Sequence, residues 1–483
     1  MVSDILRTSS NLALFESTQE PHQKPVAVKG AGFLSRGSFF HPAHHPATTH
    51  PLAPKINLER VLSELKTLAT HSDLTPPAVQ RVVYTSSDLS ARTYLQRIIS
   101  EANLAIHEDV VGNLFAVWRG SSSSQSRAVA TGSHIDAIPH SGMYDGVLGV
   151  LGGLEAIRSL KEAGFTPSRD VHLIMFTSEE PTRFGIGCLG SRVLSAELPH
   201  EYMYKLVDSN GTTLDEARKA AGFTKELSEA ILPDDTYSAF VELHIEQADS
   251  LERSSTHIGA VTSIAAPAQA AVRFSGSGGH AGALPMAERH DPGLAGAELA
   301  LEVEKAALDG QSNYSVATTG RFEVFPGAVN SVPRTATLEL DVRNVELEER
   351  NEMLTRIRDS ATKIAERRGV RLEFNVTNAD APADCNKHIV EMVAQAAQES
   401  GLSYSRLVSR AYHDSLFMAR KFPTGMIFVP CRGGVSHRPD DLERIVIRIT
   451  FIRSLANFRL PFCHILIKAS THVDARGDRL LKL

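Results

Sequence analysis

The sequence contains little cysteine, nearly balanced charge and no long apolar run. Four cysteines among 483 residues are too few and too scattered to form a disulfide framework or a thiolate metal site. The chain has 50 basic and 56 acidic residues and no long basic block, which argues against a surface for nucleic acid or anionic membranes. No apolar stretch approaches the roughly 20 residues that span a bilayer. These features predict a globular protein that binds neither nucleic acid nor a membrane.

The N-terminal segment differs in composition from the rest of the chain. Residues 1–54 are rich in proline, serine and histidine, with the run HPAHHPATTHP at 41–51. This composition predicts a disordered leader, and capture of a metal ion by the histidines is the alternative. The segment lacks the clear apolar region and cleavage site of a secretory signal. Helical spacing of apolar residues begins near Ile56, so we expect ordered structure from there.

From residue 113 onward, strand-like and helix-like segments alternate. Residues 114–118, 128–131 and 171–177 read as buried strands, and residues 147–163 read as a helix with an apolar face. Strands and helices that alternate at this spacing predict a wound α/β sheet.

The middle of the chain follows a different order, βαββαβ, which fits a ferredoxin-like module. Its segments are strand 270–274, helix 293–307, strands 314–324 and 336–342, helix 347–368 and strand 370–376. We therefore predict one α/β catalytic domain that is interrupted by a small lid domain. The predicted boundaries are 55–250 and 379–460 for the catalytic domain, 251–378 for the lid domain and 461–483 for an atypical tail.

The first chemical motif is SHIDAIPHSGMYDG at 133–146, directly after a predicted strand. Open α/β sheets place their sites at such strand ends. His134 could bind a metal ion through one ring nitrogen while Asp136 orients the ring through the other. Asp145 could bridge two ions, and Gly146 permits unusual backbone geometry. The alternative is that Asp145 only caps the helix that follows.

The second motif is TSEEPTRFG at 177–185, which also follows an apolar strand. Two adjacent carboxylates repel each other unless cations compensate their charge. We expect Glu180 to bind a metal ion and Glu179 to accept a proton from the attacking water. The alternative is a solvated helix start with acidic residues near the helix dipole.

Three weaker signals add histidines. VELHIEQ places His244 on a strand, where a plain core histidine is the alternative, and VSHRPDD places His437 beyond another strand. The glycine-rich SGSGGHAG carries His280, which could donate a hydrogen bond to an oxyanion. Together with the earlier motifs, these predict a ligand set without cysteine that suits Zn, Mn, Co or Ni and allows two ions to share a carboxylate.

The order of these motifs resembles a family of di-metal amidohydrolases that contains aminoacylases, carbamoyl-amino-acid hydrolases and allantoate amidohydrolases. Longer segments resemble the plant-type ureidoglycolate amidohydrolases within it. They are TGSHIDAIPHSGMYDGVLGVLG, FTSEEPTRFGIGCLGSR, FVELHIEQ, GGHAGALPM, PGAVNSVP, LDVR and SRAYHDSLFMAR. The resemblance covers about residues 55–440 and implies a di-metal exopeptidase-like fold with a ferredoxin-like lid.

The resemblance also implies a role for each motif residue. In the family, one Mn²⁺ would be held by His134, Asp145 and His244, and the other by Asp145, Glu180 and His437. Glu179 would be the general base. Asn330 and Arg343 would bind the substrate's carboxylate and polar groups, and Tyr412 and His413 would complete the pocket. His280 would reach across a homodimer, formed through the lid, into the partner's site. An Arg fork suits a carboxylate, and the alternative for Arg343 is a strand-end ion pair.

We therefore predict hydrolysis of the ureido C–N bond of (S)-ureidoglycolate to glyoxylate, ammonia and CO₂. The alternatives are allantoate or an N-carbamoyl amino acid as substrate, or an inactive dimeric paralogue. The resemblance implies the endoplasmic reticulum as location, and the cytoplasm is the alternative because no clear signal is present. After Asp441 the dense apolar run at 445–460 lacks the spacing of an amphipathic helix, which predicts a weaker hold on the second metal.

Overall fold

The computed structural model describes residues 54–121, 127–310 and 312–439, together with residues 465, 466 and 468. The predicted leader and the predicted tail lie almost entirely outside these residues, as does the apolar run at 445–460. Among the described residues, no helix combines the length and the apolar character that crossing a bilayer requires. The three described cysteines, Cys188, Cys385 and Cys431, are buried and are not joined by disulfides.

The described residues form helices and strands that alternate through most of the chain. The helices are α1 (Leu58–Thr70), α2 (Ser86–Glu101), α3 (Val147–Glu162), α4 (Leu189–Ser195), α5 (His200–Met203), α6 (Leu214–Ala220), α7 (Ser250–Arg253), α8 (Pro292–Leu308), α9 (Leu347–Arg368), α10 (Lys387–Glu399) and α11 (Asp414–Met418). The strands are β1 (Val79–Arg81), β2 (Ala105–Glu108), β3 (Leu114–Trp118), β4 (Ala128–His134), β5 (Ala137–Ser141), β6 (Val171–Phe176), β7 (Tyr237–Ile245), β8 (Ile258–Ile264), β9 (Ala266–Ser275), β10 (Gly279–His280), β11 (Val316–Phe325), β12 (Ser331–Val332), β13 (Thr335–Asn344), β14 (Arg371–Ala379), β15 (Ala383–Asp384), β16 (Tyr404–Ser409) and β17 (Thr424–Val429).

The large sheet has the strand order β15-β8-β17-β7-β4-β6-β3-β2, and β16 pairs with β8. Its central strands β17, β7, β4 and β6 run parallel. Neighbouring residues of β4 enter different parts of the core: Val129 packs in the cluster that contains α3, and Ala130 packs in the cluster that contains Leu194 of α4 and Met418 of α11. Because side chains alternate across a strand, helices cover both faces of this sheet.

Helix α3 approaches the large sheet unusually closely. A Cβ at Gly149 would lie 2.3 Å from the carbonyl oxygen of Leu243 in β7. The glycine-rich segment VLGVLGG therefore brings the start of α3, and with it the preceding Asp145, against the ends of the parallel strands.

The small sheet has the order β11-β13-β9-β14, and all its pairs are antiparallel. Helices α8 and α9 contribute Leu299, Val303, Ile357 and Ile364 to the core on this sheet. In chain order the unit reads βαββαβ, apart from the two-residue strands β10 and β12, so the predicted ferredoxin-like module is confirmed.

The boundaries of several elements differ slightly from the sequence prediction. Strand β4 extends to His134, and α8 begins at Pro292, where Asp291 caps it through the amides of Gly293 and Leu294. One difference is larger: β8, at Ile258–Ile264, lies in the large sheet. The small-sheet unit therefore begins at Ala266 rather than at the predicted residue 251. Sequence periodicity does not reveal this, because a strand looks the same in either sheet.

Candidate metal centre and active site

The predicted ligands gather where the parallel strands of the large sheet end. His134 is the last residue of β4, and His244 precedes the last residue of β7. Glu179 and Glu180 follow β6, and His437 lies in the loop after β17. Because parallel strands end at the same edge of the sheet, four separate segments meet at one place.

Asp145 lies at the centre of this cluster, with ligand atoms on both sides. Its Oδ1 lies 3.2 Å from Nε2 of His244 and 3.9 Å from Nε2 of His134. Its Oδ2 lies 3.3 Å from Nε2 of His437, which is also 3.3 Å from Oε1 of Glu180. Each group, His134–Asp145–His244 and Asp145–Glu180–His437, has all its ligand atoms within 4.8 Å of one another. The arrangement suits two cations that share one carboxylate.

Backbone carbonyls fix the orientation of two of the histidine rings. Nδ1 of His134 lies 3.0 Å from the carbonyl oxygen of Asp136, and Nδ1 of His244 lies 2.8 Å from the carbonyl oxygen of Ile245. A carbonyl oxygen only accepts hydrogen bonds, so each Nδ1 carries the proton and donates it. Each Nε2 is then left to face Asp145 as a potential metal ligand.

Asp145 does not cap the helix that follows it. The N-cap residue of α3 is Gly146, with φ 65°, and it makes no side-chain capping bond. A Cβ at Gly146 would lie 2.3 Å from the His134 ring. The glycine thus allows the backbone to pass the histidine while the Asp145 carboxylate points at the cluster. This geometry favours the bridging interpretation over helix capping.

Asp136 supports the cluster differently from the prediction. We expected its carboxylate to orient His134, but its backbone carbonyl does so, and Oδ1 is 3.6 Å from Nδ1. The carboxylate instead accepts hydrogen bonds from the backbone amides of Glu179 and Glu180, at 3.1 and 3.0 Å. Asp136 therefore holds the two-glutamate turn against the end of β4.

The Glu179 carboxylate is buried beside the cluster. Its Oε2 lies 3.8 Å from Nε2 of His134, and the Cys188 thiol lies 3.4 Å from Oε1. Burial raises the pKa of Glu179 well above its usual range; His134 opposes this shift and Glu180 adds to it. A carboxylate with a raised pKa is suited to accept a proton and release it again.

The electrostatics of the remaining ligands favour positive charge at this site. Contacts with Asp145 and Glu180 raise the pKa of His437 to about 10. Burial alone would raise the pKa of Asp145, but contacts with His244 and His437 hold it well below its usual range. In this arrangement a proton supplies the positive charge that a divalent cation would supply in its place, so the residues fit metal ions.

A cavity of about 600 Å³ opens beside the cluster. Its wall includes the ligands, Glu179, Arg343 from the small sheet, and Tyr412. Arg343 is held by Asp341, with Nε 2.6 Å from Oδ1 and Nη2 3.0 Å from Oδ2. The strand-end ion pair that we considered as the alternative therefore exists, and the guanidinium still reaches the cavity.

His280 and Asn330 lie together, apart from the cavity wall. His280 in β10 pairs with Ser331 of β12, and the amide of Ala281 donates to the carbonyl of Asn330. Both side chains are exposed, and neither lines the cavity. Of the predicted site residues, His280 and Asn330 are therefore the two that do not gather with the ligand cluster within one chain.

His413 also differs in placement from its predicted neighbour Tyr412. It is buried with its ring centre 4.5 Å from that of His244, and its Nε2 lies 2.9 Å from the Ser409 hydroxyl. It is absent from the cavity wall. This placement fits support of the His244 ring from behind, and the predicted contact of His413 with substrate stays a prediction.

Sequence reasoning missed six polar side chains of the cavity wall, which are Arg192, Tyr202, Gln247, Gln269, Thr377 and Asn378. Gln247 donates to Oδ2 of Asp145 at 2.9 Å, and Gln269 donates to Asp341 at 3.2 Å. Arg192 and Gln247 stand inside the motifs FGIGCLGSR and VELHIEQ, so the motifs themselves contained the signal. Gln269 and Asn378 lie on strands of the small sheet with no motif around them.

Comparisons with known proteins agree with this geometry. The model of peptidase family M20/M25/M40 matches residues 130–455. A ureidoglycolate hydrolase of Arabidopsis thaliana is 47% identical over 412 residues, which cover 83% of this chain and 86% of the relative. One of Oryza sativa subsp. japonica is 49% identical over 390 residues, 80% of each chain.

The fold is similar to that of a solved structure. A crystal structure of AtUAH in complex with (S)-hydroxyglycine has 45% sequence identity and a TM-score of 0.79, and the match covers 87% of this chain and 99% of that chain. The sequence resemblance to the di-metal amidohydrolases and the predicted α/β fold are thereby confirmed. This chain belongs to peptidase family M20/M25/M40.

Proposed function

We propose that this protein hydrolyses (S)-ureidoglycolate to glyoxylate, ammonia and CO₂. The observation that carries the proposal is one cavity that combines two ligand groups sharing Asp145, a buried Glu179, and the guanidinium of Arg343. The two relatives that are 47% and 49% identical are ureidoglycolate hydrolases, which favours this substrate over allantoate and N-carbamoyl amino acids.

We propose two Mn²⁺ ions as cofactors, with Zn, Co and Ni as ions that the same ligands accept. One group of residues, His134, Asp145 and His244, would hold the first ion, and Asp145, Glu180 and His437 would hold the second. When bound, such ions polarise an amide carbonyl and make water more acidic.

The protein's own side chains divide the remaining work. Glu179 accepts the proton of the attacking water, since its carboxylate is buried beside His134 of the first ligand group. Arg343 offers its guanidinium to the substrate's carboxylate, and Asp341 keeps that guanidinium in a fixed plane. Tyr412 is half-buried on the cavity wall and contacts polar groups of the substrate.

We further propose that two copies form a homodimer in which His280 and Asn330 serve the partner's cavity. Both side chains are exposed in this chain and absent from its own cavity wall. Helix α8 of the same unit exposes Leu294, Leu301 and Leu308, with 47%, 66% and 78% of each residue accessible. Leucines at this seven-residue spacing form one apolar stripe, which suits a self-complementary contact.

Ammonia release tests the proposed substrate. The protein, stripped of metal and reloaded with Mn²⁺, is expected to release ammonia from (S)-ureidoglycolate at least tenfold faster than from allantoate or N-carbamoyl-alanine, in kcat/KM. An Asp145→Ala variant, which removes the shared ligand, is the control for contaminating activity. Faster hydrolysis of allantoate or N-carbamoyl-alanine would select that alternative, and no hydrolysis with intact metal content would support the inactive paralogue.

The endoplasmic reticulum is proposed as the location on the family resemblance alone. Microscopy of the full chain fused at its C-terminus to a fluorescent protein tests it. A diffuse signal throughout the cytoplasm would reject this location.

A further inference from the structure

A second polar cluster consists of Arg192 and Tyr412, which line the cavity wall, and Asp380, which bonds to both of them. The guanidinium of Arg192 forms a fork on Asp380, with Nη1 2.9 Å from Oδ1 and Nη2 2.5 Å from Oδ2. The Tyr412 hydroxyl contacts both the Asp380 carboxylate and the Arg192 guanidinium. Phe417 packs under the guanidinium, 4.1 Å from the ring centre. Such a two-point ion pair fixes direction as well as charge.

The hydrogen bonds of this cluster determine what the Tyr412 hydroxyl offers to a ligand. An ionised carboxylate only accepts, so the hydroxyl hydrogen points at Asp380. A guanidinium only donates, so the hydroxyl oxygen accepts from Arg192. Burial opposes ionisation of Asp380, but Arg192 and the hydroxyl outweigh it and lower the pKa of this carboxyl. The hydroxyl therefore presents only an acceptor lone pair to the cavity.

Asp380 lies in the connection between the two sheets. β14 of the small sheet ends at Ala379, and β15 of the large sheet begins at Ala383. The backbone carbonyl of Asp380 accepts from Arg350 of α9, and Arg420 donates to the carbonyls of Ala381 and Pro382. Each carbonyl of this connection is thus held by an arginine, so the position of the carboxylate follows the junction of the two sheets.

We infer that Asp380 is a positioning residue for substrate selection. From the connection between the sheets, and together with Arg192, it holds the Tyr412 hydroxyl as a hydrogen-bond acceptor for a donor group of the substrate, such as a ureido N–H or the hydroxyl. The identity of that substrate rests on the proposed function. Asp380 acts through Tyr412 and does not itself contact the reacting atoms.

Substitution of Asp380 tests this inference by its effect on KM. Asp380→Asn keeps the size of the side chain but turns amide donors towards the guanidinium and the hydroxyl. We expect KM for (S)-ureidoglycolate to rise about tenfold with kcat within about twofold of the parent, the pattern of lost ground-state binding. Asp384→Asn is the matched control, because this exposed carboxylate in β15, just after the connection, bonds only to Ser263 among the described contacts. Its KM is expected to stay that of the parent.

A double variant separates positioning from general stability. If Asp380 acts through the hydroxyl, Tyr412→Phe raises KM by a similar factor, and Asp380→Asn adds no more than about twofold to it. A tenfold further rise in the double variant, or an unchanged KM in Asp380→Asn, would overturn the inference. Arg192→Lys is the second variant if Asp380→Asn fails to fold; it keeps the charge, loses the fork, and is expected to raise KM in the same non-additive way.

A substrate-independent measurement distinguishes this inference from the proposed function. If the parent hydrolyses no ureido compound, the proposed function fails. Urea unfolding of the metal-loaded parent, the two single variants and the double variant then measures whether Asp380 and the Tyr412 hydroxyl interact. Additive losses of stability would overturn the inference, and a coupling between Asp380→Asn and Tyr412→Phe would support it.

Discussion

The end of the large sheet and the separate two-stranded sheet β10-β12 hold the predicted site residues in opposite surroundings. His134, Asp145 and His244 are buried, with ligand atoms within 4.8 Å of one another. His280 and Asn330 are exposed and do not line the cavity beside the ligands. Residues that hold a metal ion need fixed positions, which burial provides. Residues that contact a partner subunit must stay accessible in the single chain. Burial therefore distinguishes residues that act within one chain from residues proposed to act in a partner's site.

The largest expected effect comes from the buried region. Glu179→Gln keeps the shape of the side chain but removes the carboxylate that accepts the proton, so kcat is expected to fall by about 10²–10⁴-fold. Both metals should remain bound, because the ligand groups do not include this residue. Elemental analysis and initial rates on the same preparation provide the measurement.

The control for this prediction is a buried carboxylate outside the cluster. Glu246 accepts from the backbone amide of Leu251 and the hydroxyl of Ser250, away from the ligands. Glu246→Gln should leave kcat within a few-fold of the parent. If Glu179→Gln turned over substrate at a near-normal rate with full metal content, another group would have to accept the proton.

The two regions also differ in how much of them the sequence could predict. The buried ligands follow apolar strands in short motifs. The position where β4 or β6 ends and the ligand residues beside it can therefore be predicted from a short segment of sequence. The sequence does not predict that the Asp136 carboxylate bonds to the amides of Glu179 and Glu180, because these contacts cross a gap of more than 40 residues. A one-dimensional pattern contains no information about such a contact.

Long-range contacts explain the other omissions. Arg192 and Asp380 are separated by 188 residues, and each looks like an ordinary surface charge in its own segment. His413 stands next to Tyr412 in a loop before α11, yet one side chain lines the cavity and the other packs behind His244. Adjacent residues in a loop follow no regular hydrophobic period, so the sequence does not predict that their side chains point in different directions.

The next effect tests whether the exposed region completes a partner's site. His280→Ala and Glu179→Gln are each expected to be almost inactive. Mixed in equal amounts with random exchange of subunits, half of the dimers are mixed, and each contains one site with an intact Glu179 and a partner's intact His280. Activity should therefore return to about a quarter of that of the parent.

Two measurements make the mixing result decisive. Mass spectrometry of differently tagged subunits establishes that exchange has occurred. Leu301→Lys in both variants places a charge in the exposed stripe of α8, so it should prevent both exchange into dimers and the return of activity. Complete exchange without activity would show that His280 does not act in the partner's site.

The smallest expected effect concerns the free energy of unfolding and a histidine in a strand of the large sheet. His172 in β6 lies 3.0 Å from the Tyr237 hydroxyl, and burial lowers its pKa to about 4. Unfolding restores a pKa near 6.5, so protonation favours the unfolded state: stability is complete above pH 6.5 and declines as the pH falls towards 4.

His172→Asn keeps a partner for the hydroxyl without titrating. Between pH 7 and 5 it should lose about 2 kcal/mol less unfolding free energy than the parent in urea titrations. Equal losses in the parent and His172→Asn would mean that the strand histidine does not titrate on unfolding.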